Sequence, residues 1–179
     1  MSTYVALLRG INLGGHNRIN MGRLRELLAD LGHADVQTYV QSGNVVFQSS
    51  GRSAAKVANG IEGAIARELG LDVRVLVRTA KELSGIVAAN PFVAGGSDVS
   101  VLHAVFLADR PAAALVKALP PTFGAPDEFR VAGREVYLRC PNGYGRTKLN
   151  NSLFEKRLGV AATTRNWKTV TTLADLAAP

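Results

Sequence analysis

Apolar positions recur along this chain at two different spacings, and the switches between them lay out its elements. Residues 3–9 hold an apolar run, Tyr4, Val5, Leu7 and Leu8, closed by Gly10, which predicts a buried strand. Met21, Leu24, Leu27, Leu28 and Leu31 then recur every three or four residues, with Asn20 as N-cap and Gly32 where a terminating glycine belongs. That is a helix. Val36, Thr38 and Val40 alternate with polar neighbours, Gln41-Ser42-Gly43 supplies turn chemistry, and residues 44–48 resume a strand, so a hairpin follows. Val57, Ile61, Ile65 and Leu69 mark a second helix over 53–69 closed by Gly70, and Val73, Val75 and Val77 a strand over 72–78. The order β-α-β-β-α-β is the split arrangement of ferredoxin-like domains.

A helical turn or two at 80–89 leads to Asn90-Pro91 and Gly95-Gly96-Ser97, which punctuate the chain between two halves, residues 1–90 and residues 97–179. In the second half a strand is expected at 101–107, a short Ala-rich helix at 111–119, and a hairpin from 128–131 and 135–140. A loop at 141–148, a helix at 151–158 and a helical stripe of Trp167, Val170, Leu173 and Ala177, starting near Thr164, complete it. The fold class is thus α+β, with two ferredoxin-like (βαββαβ-type) subdomains in tandem and additional C-terminal helices. No sequence repeat links the halves, so duplication rests on element order.

Composition narrows the class of protein. Of 179 residues, 47% are hydrophobic and 20% charged, values of a folded chain rather than a disordered or fibrous one. The longest apolar stretches fall far short of the roughly 20 residues of a membrane span, and the N-terminus does not look like a secretory signal. A cytoplasmic protein without a membrane partner is expected. Cys140 is the only cysteine and His16, His33 and His103 are scattered, so neither an internal disulfide nor a metal site is expected, and no cofactor is implied.

Charge changes the picture more. The net charge is +7, and it is localised: residues 9–25 carry four arginines and no acid, residues 130–168 carry nine basic residues against Glu135 and Glu155, and the remainder is acidic. Clustered cations favour phosphates, nucleic acids or acidic surfaces, although a solvated positive face has the same composition. The first basic stretch runs from a strand end to a helix start, where backbone N–H groups can hold an anion. Its Gly10 and Gly15 have the spacing of a phosphate loop, but His16 replaces the lysine and Asn17 the magnesium-binding hydroxyl, so only a looser anion nest survives. The sequence PNGYGRTK at 141–148 combines flexible backbone, two cations and a hydroxyl. The third segment, TTRNWK at 163–168, is read as an N-cap threonine, a cation, an amide and the only tryptophan at a helix start; Trp167 fits a core position better than a stacking one.

No catalytic motif stands out. Cys140 lacks an evident activating partner, Ser42 lacks the G-x-S-x-G elbow and is explained by its turn, and Glu135 and Glu155 fit ordinary ion pairs.

The segments LRGINLGG (8–15), TYVQSGNV (38–45), PNGYGRTKL (141–149) and TTRNWKT (163–169) together resemble the domain of unknown function 1697 family of small bacterial proteins, over essentially the whole chain. His16 departs from that pattern, which often has lysine there. The resemblance implies two α+β subdomains of ferredoxin-like character and no activity. The expected function is therefore argued from the loops: they meet over one face and hold a phosphate-bearing ligand, RNA, DNA or a nucleotide. Arg9, Arg18, Arg146, Lys148, Arg165 and Lys168 would contact phosphate. Asn12, Gly14, Gly15, Asn142 and Gly143 would shape backbone nests, and Ser42, Asn44 and Asn166 would supply neutral hydrogen bonds. The alternatives are an enzyme acting on a phosphorylated small molecule through the same cations, and a protein-interaction module with no small ligand.

Overall fold

A computed structural model of the chain describes every residue except Arg52. The chain divides into two compact units, Met1–Gly85 together with Leu173–Pro179, and Ile86–Thr172. Each unit holds one four-stranded antiparallel sheet with helices, so the protein is mixed α+β.

The first unit runs β1 (Ser2–Leu8), α1 (Met21–Asp30), β2 (Ala34–Tyr39), β3 (Asn44–Ser49), α2 (Ala54–Leu69) and β4 (Val75–Thr79), with strand order β2-β3-β1-β4. Local chemistry sets the helix limits, at Asn20 and Gly70 as the sequence predicts. Asn20 accepts the Arg23 N–H to start α1, Ser53 accepts the Lys56 N–H to start α2, and Gly70 ends α2 in the left-handed region at φ 65°. One face of the sheet, with Tyr4, Ala6, Leu8, Val45, Phe47, Val75 and Val77, packs on Leu24, Leu28, Ile61 and Ile65 of the helices. Val5, Leu7, Val46 and Leu76 on the other face are buried as well, and so is Arg78, only 1% exposed.

In the second unit, α4 (Pro91–Ala94) precedes β5 (Leu102–Leu107), α5 (Ala113–Lys117), β6 (Glu128–Ala132), β7 (Glu135–Arg139), α6 (Asn151–Leu158) and β8 (Ala162–Asn166), with strand order β6-β7-β5-β8. Val105, Leu107, Val136, Leu138, Phe154 and Leu158 form its core between sheet and helices. Two further helices, α3 (Ala80–Ala88) and α7 (Trp167–Ala177), each follow the last strand of a unit's sheet directly.

One expectation fails. The helical stripe read from near Thr164 begins later, because residues 162–166 form the eighth strand and pair with β5. Thr163 is therefore not an N-cap. Asn166 has that role, its Oδ1 accepting the Thr169 N–H at 2.8 Å. Trp167 is 4% exposed and packs edge-on against Tyr137, so it belongs to the interior.

With the eighth strand in place, the second unit repeats the order of the first, and the repeat extends to side chains. Glu62 of α2 accepts the N–H of Val75, the first residue of β4, at 2.8 Å, and Glu155 of α6 accepts that of Ala162, the first residue of β8, at 3.0 Å. The fourth residue of each strand is a buried arginine: Arg78 donates to the Val77 carbonyl at 3.1 Å, Arg165 to the Thr164 carbonyl at 3.0 Å. Each is followed by a capping residue, Thr79 or Asn166. The Leu8 N–H donates to Gly43 O and the Leu107 N–H to Arg134 O, both at 2.8 Å, tying each first strand to its hairpin in the same way.

Candidate functional site

The loops singled out in the first unit are held together from within. Asn12, at φ 55°, donates its amide to Gln41 O at 2.7 Å and Ile19 O at 3.1 Å, while its Oδ1 accepts the Ile19 N–H at 2.9 Å. Asn44 is fully buried and donates to Tyr39 O and the Ser42 hydroxyl. Gly43 could not be replaced, since a Cβ there would lie 2.7 Å from both Leu8 Cβ and Ile11 Cδ1. The 9–20 segment and the 40–43 turn thus meet, joined by Asn12, and their amides hold backbone. Gly14, Gly15 and Arg18 lie in this segment at the surface, Arg9 is half-exposed, and the Arg18 guanidinium lies close over Gly15.

In the second unit the 140–150 segment has a different construction. It leaves β7 at Cys140, makes one turn of 3-10 helix at Tyr144–Arg146, and enters α6 through Asn150, whose Oδ1 caps Leu153. Two side chains anchor it. The Thr147 hydroxyl donates to Asp127 Oδ2 at 2.6 Å and accepts the Leu149 N–H at 3.1 Å. Tyr144 stacks on His103 with ring centres 4.8 Å apart. Nearby, the Thr164 hydroxyl of β8 donates to Asn151 Oδ1 at 2.7 Å.

A cleft of about 270 Å³ is lined by Asp127, Asn142, Arg146 and Lys148, with Phe123 and the 124–126 turn completing it. Arg146 and Lys148 are at the surface, and among the described residues neither side chain is engaged in an ion pair. Gly143 shapes the turn at φ 88°, its N–H donating to Cys140 O.

Electrostatics follow from burial. Burial pushes the Cys140 thiol up, as does the Asp127 charge, with the Thr147 hydrogen bond working the other way. Cys140 is therefore a protonated packing residue. Burial also raises Tyr144 and lowers His103. Arg165 is drawn down by burial to about 10, with Tyr144 acting in the opposite direction, so it stays charged at neutral pH. It is only 9% exposed and donates to the Thr163 hydroxyl at 2.8 Å. Lys168 and Asn166 are exposed at the start of α7, where the Asn166 side-chain oxygen is engaged as a cap.

Of the candidates, Asn142, Arg146 and Lys148 come together in one cleft, while Arg165 lies buried below the surface. Asp127, which lines the cleft, and Thr147, which holds it, are not among them. Thr147 is visible in the sequence as the hydroxyl between two cations. Asp127 follows a Pro- and Gly-rich stretch with no hydrophobic period, so nothing local marks it. Among the described residues, no cluster of three or more His, Cys, Asp or Glu side chains could hold a metal ion, and no helix is long and apolar enough to cross a membrane.

The family described as "Protein of unknown function (DUF1697)" matches residues 1–137, so the 141–149 and 163–169 segments lie beyond the matched region. A solved structure, described as that of conserved bacterial protein SP0830 from Streptococcus pneumoniae, is similar over 99% of both chains with a TM-score of 0.77 and 22% identity, a likeness of fold. No curated protein matches.

Proposed function

This chain belongs to the DUF1697 family of proteins of unknown function, and from that premise we propose that it binds a phosphate-bearing ligand in the cleft beside residues 141–148. The two sheets, each with strands and helices in βαββαβ order, are read as two ferredoxin-like halves, a frame that hosts many unrelated functions. Function is thus argued from the cleft. One observation supports the reading: Arg146 and Lys148 line the same concavity, at the surface and without an acidic partner among the described residues. Uncommitted cations on a loop whose other side chains are tied down are a preorganised site for an anion. The Arg146 fork suits two phosphate oxygens and the Lys148 ammonium a third.

The test is calorimetric titration of the full chain with inorganic phosphate and adenosine 5′-monophosphate, for the wild type and for Arg146→Glu/Lys148→Glu. Both positions are at the surface, so charge reversal there leaves the fold intact; at the buried Arg165 it would not. The expected result is binding that weakens by at least about tenfold in the double variant. Equal affinity in the two proteins would refute the site.

A further inference from the structure

Resting on that reading, we infer that the ligand is a small phosphomonoester carrying a hydroxyl as a neutral hydrogen-bond donor, rather than a strand of nucleic acid. The observation is a carboxylate where a polyanion site should have none. Asp127 lines the cleft together with Arg146 and Lys148. Its Oδ2 receives the Thr147 hydroxyl at 2.6 Å, and among the described residues its Oδ1 accepts no hydrogen bond. The Thr147 contact fixes the carboxylate in one orientation, and Thr147 is itself held by the Leu149 N–H. The second oxygen is thus a positioned acceptor.

A nucleic-acid strand presents a phosphate charge every few ångströms, so one that engages the two cations brings further phosphates toward the acid, where like charges repel. A phosphomonoester has its charge at one end. It can place that end on Arg146 and Lys148 and turn a hydroxyl toward Asp127, using both signs of charge in the cleft. The cleft is small: about 270 Å³ lies just below the roughly 300 Å³ at which small-ligand sites begin, room for a compact ligand only. Two cations are also few for a surface that must track a backbone.

The experiment titrates the full chain with inorganic phosphate, ribose 5-phosphate and a short single-stranded RNA, for the wild type, Asp127→Asn and Arg146→Glu. The amide introduced by Asp127→Asn retains an oxygen that can accept the Thr147 hydroxyl, and thermal unfolding checks that each variant is folded. The wild type should bind ribose 5-phosphate about tenfold more tightly than inorganic phosphate, the worth of a modest hydrogen bond to a charged acceptor. In Asp127→Asn that preference should shrink to about twofold or less, while RNA binding should strengthen. The inference is overturned if ribose 5-phosphate is held no better than inorganic phosphate, if Asp127→Asn leaves its preference intact, or if RNA binds most tightly with affinity collapsing between about 50 and 200 mM salt. In each of those cases Arg146→Glu still weakens binding, and the phosphate site stands. If Arg146→Glu changes nothing, or no probe binds, the site falls and the inference with it.

Discussion

In the first unit the long connection leaves β1 and runs through residues 9–20; in the second, the connection after β5 is short and the long one leaves β7, residues 140–150. Yet the frames beneath agree in particulars: a glutamate on the second helix of each sheet caps the first N–H of the last strand, and that strand carries a buried arginine at its fourth position. The two long loops are also stabilised differently. Asparagine amides tie the first to its neighbouring turn through backbone contacts, whereas a threonine and a tyrosine pin the second and leave two cations at the surface. Repeated features are those a four-stranded sheet needs in order to end cleanly. What differs is the part a frame leaves open to vary, which is where a ligand site can be built.

The strongest way to break this comparison is to remove the arginines. Arg78→Ala and Arg165→Ala should each destabilise the protein by about 3 kcal/mol, as truncation of a large buried side chain does. For a chain of this size that corresponds to roughly 6–12 °C in Tm, readable by circular dichroism. Arg→Met at either site keeps the buried stem and should recover part of the loss. If one arginine tolerates alanine and the other does not, the two positions are not equivalent and the repeat is confined to backbone.

A smaller effect sharpens the same point. Glu62→Ala and Glu155→Ala strip the acceptor from a buried strand N–H, at Val75 and Ala162 respectively, and should each cost about 1.5–3 kcal/mol. Glutamine at either position retains an oxygen and should lose about half as much. Unequal losses by more than about 1 kcal/mol in denaturant titrations would mean that one glutamate serves another purpose. These residues also show where sequence reading stops. The helix cap at Asn20, the terminating Gly70 and the 151–158 helix were legible because each depends on residues within one turn. The strand at 162–166 was not, because the strong stripe from Trp167 onward extends the helical reading backward over Thr163 and Thr164. The signal was present at a distance: VRTAKEL at 77–83 and TRNWKTV at 164–170 align arginine, capping residue, lysine and apolar position. In the site, Arg146 and Lys148 could be read because charge is visible residue by residue. Asp127 acquires its role only when the fold brings Thr147, twenty residues further along the chain, against it.

The smallest effects concern pH, and they distinguish the units again. His33 in the first unit packs against Phe47, and His103 in the second stacks on Tyr144; burial holds both imidazoles below the ordinary 6.5. As pH falls through that value the unfolded chain takes up protons that the folded chain refuses, so stability is lost toward acid from both units. Toward alkali the asymmetry appears. Cys140 is raised above 9.0, Tyr144 above 10.0, and Tyr137 is pushed up to about 12 by burial and by Glu135, and all three lie in the second unit. The unfolded chain releases these protons first, so their contribution is complete below about pH 9 and is lost as pH rises from there toward the folded values. Trp167, the only tryptophan and part of that unit, reports the transition by its fluorescence. Cys140→Ala should flatten the first part of the alkaline loss, from the ordinary thiol range upward, and leave the acid loss unchanged. His103→Phe should do the reverse. If Cys140→Ala retains the full alkaline loss, the thiol ionises as readily in the folded protein as in the unfolded one, and the anchor beneath the 140–150 segment is open to solvent.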